Sequence, residues 1–486
     1  MVQAASGVVL GMIDFADYVR HDALGLAAWI ADGGVSASEV LDTVIARADA
    51  VDPTINALAQ RFDDRARARL ADGPLSGPFA GVPFLFKDLY TFQAGVPAEN
   101  GNRLWKGFVA PIDFTYVQRC EAAGFVSFGR TTSSEEGVNV STESVATGPT
   151  RNPWALDRTT GGSSGGAAAA VAAGIVPMAH GSDGGGSIRI PAAQCGLFGL
   201  KPTRGRTPMG PLVGEGWAGL AGNHVVSRSV RDSAAMLDAT RGGEPGDPYA
   251  VPLPARPYLD EVGAEPGRLR VAFHLEGLDG VPLDPENQRA VREAAALLEG
   301  LGHDVAEDRP ELDIEGLITS ILTVVAANLW NGMTLRYAAL GRAPDGRDLE
   351  RVTWEFAQRG RRHTAADYAQ ALTTFHTASR HMANFFKRYD VLVSTTMRRP
   401  PFPLGVLRTD KLDFEAFIAM IRAEMPVTSY FNMTGGPAMS VPLHWTEDGL
   451  PVGIHVGAAY GREDTLFRLA AQLEEARPWF GKRPTL

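Results

Sequence analysis

The chain has 486 residues, 45% of them hydrophobic and 21% charged, which is a soluble globular composition and excludes disordered or collagen-like sequence. That length allows two or three average domains, or one large α/β domain with a sizeable core. A net charge of −10 argues against a nucleic-acid surface, which wants a basic stripe. Cys120 and Cys195 lack metal-type spacing and point to a reducing cytoplasm rather than a disulfide framework.

A short N-terminal tail without a positive n-region gives no signal peptide. Residues 23–51 then read as two helices. Gly33 and Gly34 end the first, and Ser36-x-x-Glu39 is a capping box that opens the second. Val40, Leu41, Val44, Ile45 and Ala48 recur at helical spacing. RFDDRARARLADGPLSGP (61–78) reads as a helix running into a loop. FAGVPFLFKDLY (79–90) is an apolar, β-prone run broken only by Lys87 and Asp88. A helix in TYVQRCEAAGF (115–125) leads to the strand VSFGR (126–130), and the Ser/Thr/Gly/Pro content of 141–162 is loop chemistry.

GGSSGG (161–166) precedes the alanine-rich helix AAAAVAAG. Residues 269–308 make a strand–helix–strand unit, 312–388 are largely helical by periodicity, and DVLVSTTM (390–397) is a buried strand. AMSVPLHW and PVGIHVGAAY frame the turn TEDGL as a hairpin, before a helix from about Glu463 to Ala476. The uncharged stretch 316–335 is long enough for a bilayer. Its Ser, Thr and Asn residues favour a buried or pocket-lining helix, so no membrane insertion is expected. No repeat or linker divides the chain. The expected organisation is one domain over 1–486, with N-terminal helices in 1–75 packed on it and a helical, substrate-shaping insertion at 312–388.

Three places carry candidate chemistry. Only six of the 46 basic residues are lysines, so a lysine within GVPFLFKDL suggests a position that arginine cannot fill. A desolvated lysine can lose its proton near neutrality and act as a base, whereas arginine cannot. The alternative is a lysine paired with Asp88 at a strand end. GGSSGG is either a flexible turn or a serine site. It lacks the lysine of a phosphate-binding loop, and as a G-x-S-x-G elbow it lacks a strand before it and a supported histidine after it. In HGSDGGGSIRIP (180–191), Gly184, Gly185 and Gly186 could aim backbone N–H groups at an oxyanion beside a nucleophilic Ser187, or could simply allow close packing. Jointly, Lys87, Ser163 and Ser187 form a Ser–Ser–Lys constellation without histidine, and Ser–Lys pairs are an established way to activate a hydroxyl.

With these motifs the chain resembles the amidase signature family of serine hydrolases. The resemblance rests on GVPFLFKDL (81–89), TRNPWALDRTTGGSSGGAAAAVAAG (150–174) and GSDGGGSIRIPAAQCGLFGLKPT (181–203). NMTGGPAMSVPL (432–443) and GLPVGIHVGAAYGRED (449–464) extend it. TRNPW, KPTRGR and AAYGRED are most similar to the subgroup that hydrolyses the cyclic dimer of 6-aminohexanoate, with urethanases related.

The resemblance implies an α/β/α sandwich around a mixed sheet of about eleven strands, and no cofactor or metal. It implies Lys87 as base, Ser163 on a cis peptide as proton relay, and Ser187 as the acylated nucleophile. Gly184, Gly185 and Gly186 would form the oxyanion hole, with Asp183, Arg189 and Ser164 supporting it. A small-molecule amide or carbamate would be the partner, and the chain would be a cytoplasmic monomer or homodimer. The other roles to weigh are the glutaminase subunit of a tRNA-dependent amidotransferase and a silent scaffold. Gly184 departs from the pattern, because the family usually has a β-branched residue there. The pocket walls are expected from 98–105, 135–144, 210–224 and 312–388.

Overall fold

The structure is a computed structural model and describes residues 13–486; the expected tail and the reading of no signal peptide rest largely on residues 1–12, outside that range. Helices Ala23–Ala31 and Ala37–Ile55 form where the apolar period puts them. In the capping box, the Ser36 hydroxyl accepts the Glu39 N–H at 3.2 Å and the Glu39 carboxylate accepts the Ser36 N–H at 2.8 Å. Two amides that the first turn leaves open are thereby satisfied. Val40, Leu41, Val44 and Ala48 bury against a core shared with the alanine-rich helix Gly165–Ala172.

The largest sheet has eight strands, in the order 304–307, 270–273, 391–395, 451–458, 438–445, 198–201, 222–227 and 178–183. Arg270–Phe273 runs parallel to both its neighbours, and every other pairing is antiparallel, so the sheet is mixed. Period-2 alternation sends its side chains into two separate cores. Val391 and Val393 join helices Pro285–Gly300 and Glu463–Ala476 on one face. Leu392 joins the helical segment 314–385 on the other. Helices on both faces of a sheet make the α/β/α sandwich.

Three further strands, Leu58–Arg61, Val126–Thr131 and Pro83–Lys87, form a second sheet. Its last strand is buried along its whole length, as a parallel strand covered on both faces should be. The two sheets contain the eleven strands expected, but not as one continuous ladder. At the seam the Lys87 N–H donates to His180 Nδ1 at 3.2 Å, a ring nitrogen in place of a backbone carbonyl.

The helical stretch resolves into Ile314–Ala339, Arg351–Gly360 and Ala365–Phe385. The first is long and apolar enough to cross a membrane by length and composition, yet nine of its residues are buried in the fold. Residues 141–162, read from sequence as loop, contain a small hairpin of Arg151–Asn152 with Ala155–Thr159. It belongs to neither sheet, and its turn chemistry outweighs its few β-formers. Cys120 and Cys195 are both buried free thiols.

Candidate active site

Lys87 ends its strand with the whole side chain buried. Its Nζ lies 2.7 Å from Ser163 Oγ and 3.1 Å from Ser182 Oγ. Burial pulls its pKa from 10.5 down to about 7, and the negative charge of Asp183 opposes that only in part. At neutral pH the amine is therefore substantially unprotonated, which is what a base requires. Asp88 does not pair with Lys87. It faces Arg130, whose Nε is 3.2 Å away, so the strand-end ion pair weighed from sequence is absent.

Ser163 is buried and follows a cis Gly162–Ser163 peptide. Its neighbour Ser164 heads helix Gly165–Ala172 without capping it, and donates instead to the Ser182 carbonyl at 3.3 Å. His180 and Ser182 share one face of the Met178–Asp183 strand by alternation, and both touch Lys87.

Beyond Asp183 the chain turns through the three glycines. The Asp183 carboxylate accepts from the Gly186 N–H at 2.7 Å, from the Ile188 N–H at 3.1 Å and from Arg189 Nε and Nη2, both at 2.9 Å. Burial alone would raise its pKa. The charge and hydrogen bonds of Arg189, with the Asn432 amide, outweigh that and hold it well below the usual carboxylate range. Arg189 also reaches the Thr428 carbonyl and His455 Nε2, and Asn432 Nδ2 donates to the Leu220 carbonyl at 3.0 Å. One buried ion pair thus ties the turn to three other segments.

Gly186 departs from the expected oxyanion-hole role, because its N–H is already committed to Asp183. Its φ of 141° lies where side-chain-bearing residues rarely go, and an added Cβ would meet Ile190 Cδ1 at 2.6 Å. Glycine there shapes the turn. The N–H groups of Gly184, Gly185 and Ser187 have no acceptor among the described residues, and all three residues border one mostly apolar cavity. No hydrogen bond joins Ser187 to Ser163.

That cavity has a volume of about 140 Å³. Ser187, Gly184 and Gly185 form its floor, and Ile318, Ile321, Leu322 and Val325 of the long uncharged helix line one side. Residues 137–140, Trp217 and Phe356 come from three of the segments expected to shape it. The fourth, 98–105, does not reach the cavity. Asn102 and Trp105 instead donate to the buried Glu136 carboxylate at 2.6 and 3.0 Å, behind the 137–140 wall. Burial raises Glu136 to about 7 against those hydrogen bonds and one from Tyr90.

Sequence reasoning missed the 414–430 wall, where Phe417, Ile418, Ile421, Met425 and Tyr430 contribute, because its apolar period reads as an ordinary core helix. It also missed Ser182, His180, Asn432 and His455. Period-2 alternation in HGSD could have pointed to the first two once that stretch was read as a strand. Among the described residues no group of three His, Cys, Asp or Glu side chains is arranged to hold a metal ion.

Fold and cavity together define a serine-containing α/β/α hydrolase scaffold. The Amidase family model matches residues 39–467, and the chain belongs to the amidase signature family. It is similar to the 6-aminohexanoate-cyclic-dimer hydrolase of Paenarthrobacter ureafaciens, at 40% identity over 96% of this chain and 97% of that protein. The acylamidase of Rhodococcus erythropolis is 34% identical over 94% of this chain and 96% of its own length. A solved structure of 6-aminohexanoate cyclic dimer hydrolase superposes with a TM-score of 0.90 at 38% identity, covering 96% of this chain and 99% of that one. The protein is accordingly a hydrolase of carbon–nitrogen bonds.

Proposed function

We propose that this chain hydrolyses small-molecule amides, linear or cyclic, and carbamates, through Lys87, Ser163 and Ser187 and an acyl-enzyme. The observation that carries the reading is the 2.7 Å contact between Ser163 Oγ and a buried Lys87 whose pKa is drawn down to about 7. Neutral Lys87 takes the Ser163 proton as Ser163 takes that of Ser187. The Ser187 oxygen then attacks the carbonyl carbon, and the displaced π pair becomes an oxyanion held by the free N–H groups of Gly184, Gly185 and Ser187. Catalytic hydrogen bonds tighten as the reacting complex forms, and the Ser163–Ser187 contact arises at that stage.

Collapse of the tetrahedral intermediate breaks the C–N bond. The leaving nitrogen takes a proton from Ser163, which regains one from the Lys87 ammonium. Water then repeats the sequence and frees the acid. Relatives named as a cyclic-dimer hydrolase and an acylamidase support amides as the substrate class, and the apolar walls support aliphatic or aryl substituents. Carbamates present the same carbonyl to the same groups.

The test is a rate panel of matched anilides, an aliphatic cyclic diamide, an aryl carbamate and glutamine, with Ser187→Ala as blank. Anilide and diamide turnover that vanishes in the variant supports the reading. Turnover of glutamine alone would replace it with an ammonia-supplying role.

A further inference from the structure

At Gly184 the backbone does not require glycine, since its φ lies outside the left-handed region that glycine favours. The space does. A Cβ at Gly184 would lie 3.0 Å from Cε3 and 3.1 Å from Cζ3 of Trp217, closer than a side-chain carbon normally sits to an aromatic ring. Gly185, by contrast, would meet nothing nearer than 3.7 Å. The ring at position 217 therefore fills the volume that a side chain at position 184 would otherwise occupy.

Trp217 is held there by its own loop. Trp217 and Ala218 both adopt left-handed φ, 50° and 54°, which is uncommon for residues with side chains. The Trp217 carbonyl accepts the Leu220 N–H at 3.2 Å, and the Leu220 carbonyl accepts from Asn432 Nδ2 at 3.0 Å. Asn432 also holds Asp183, so the loop that carries Trp217 and the glycine turn are tied to one amide. The half-buried indole borders the same cavity as Ser187 and Gly185.

We infer that Trp217 is a specificity-determining residue: its indole is the wall beside the reacting carbonyl, and it selects substrates whose carbonyl bears a flat aryl or unbranched apolar group over those branched at the adjacent carbon. This rests on the amide-hydrolase reading above. A rigid ring leaves a slot over the free N–H groups of the turn. A flat or linear group gains contact with the indole, while an α-branch competes with it for volume.

The experiment measures kcat and KM for hexanoyl, benzoyl, isobutyryl and pivaloyl anilides in the wild type, Trp217→Ala, Trp217→Phe, Gly184→Val and Gly184→Val/Trp217→Ala. The wild type should prefer benzoyl to isobutyryl, and Trp217→Ala should lower that ratio of kcat/KM by about tenfold, mainly through KM. Trp217→Phe, which keeps a flat ring, should retain most of the preference. Gly184→Val should be more damaging alone than combined with Trp217→Ala, because the two changes compete for one volume.

An active wild type whose ratio stays within about twofold in Trp217→Ala overturns the inference. So does a double variant no better than Gly184→Val. If the wild type cleaves none of the panel and no cyclic diamide either, the amide reading falls. Hexananilide binding to Ser187→Ala and to Ser187→Ala/Trp217→Ala, followed by calorimetry, then decides the wall: equal affinity overturns it, and weaker binding without the indole supports it.

Discussion

The floor and the walls of the cavity are built on different principles. Beneath the floor, the supporting polar groups are held by several directed bonds: Asp183 alone accepts from Gly186, Ile188, Arg189 and Asn432, and Lys87 is fixed between two serine hydroxyls. On the walls, Ile318, Ile321, Leu322, Val325 and Phe417 meet the cavity with carbon only. Directed bonds fix positions, which acyl transfer needs; dispersion contacts hold shape within a tolerance, which substrate fit can use. Substitutions on the floor should therefore abolish turnover, and those on the walls should redistribute it.

The largest effects are expected at the groups proposed to react. Ser187→Ala should reduce amide hydrolysis to background, and Lys87→Ala should lower kcat by about 10²–10⁴-fold, the span of general acid–base assistance. Both should leave the far-ultraviolet circular dichroism spectrum unchanged. Near-wild-type rates in either would break the comparison at its base. Ser163→Ala should be severely impaired but less completely so.

Next comes the brace beneath the turn. Asp183 and Arg189 are both fully buried, and Asp183→Ala strands an arginine charge without its partner. Losing one member of such a pair costs about 3–5 kcal/mol, which should appear as a lower midpoint in chemical denaturation. A midpoint like that of the wild type would show that the ion pair can be replaced by Asn432 and the neighbouring carbonyls. The smallest effects belong to the walls. Leu322→Ala should lower kcat/KM for long-chain amides by about 10- to 200-fold at most and leave acetanilide nearly untouched, since hydrophobic pocket contact of this size is worth only ~1–3 kcal/mol.

How much of this was legible in sequence follows the same division. Lys87 stood out because arginine dominates elsewhere, and Ser163 and Ser187 stood out because glycines crowd around them. The capping box and the final helix, Glu463–Ala476, were readable from local patterns. What stayed hidden depends on contacts far apart in the chain. Asn432 reaches Asp183 across 249 residues, and nothing local to it announces that role. The consumption of the Gly186 amide is invisible without the position of the Asp183 carboxylate. The 414–430 wall looks like any amphipathic helix until the cavity beside it is seen. The seam between the sheets turns on His180, which reads from sequence as one more core histidine.

One titration tests the central claim most directly: the pH dependence of kcat/KM for a good anilide, in the wild type and in Glu136→Gln. As the proposed base, Lys87 is depressed to about 7 and would serve only when neutral, so activity should rise with pH through about 7 and fall away below it. Glu136 titrates in the same range and backs the pocket wall, so it is the natural impostor. The same acid limb is expected in both proteins. A limb that disappears in Glu136→Gln, or wild-type activity that persists unchanged down to about pH 5, would contradict Lys87 as the base.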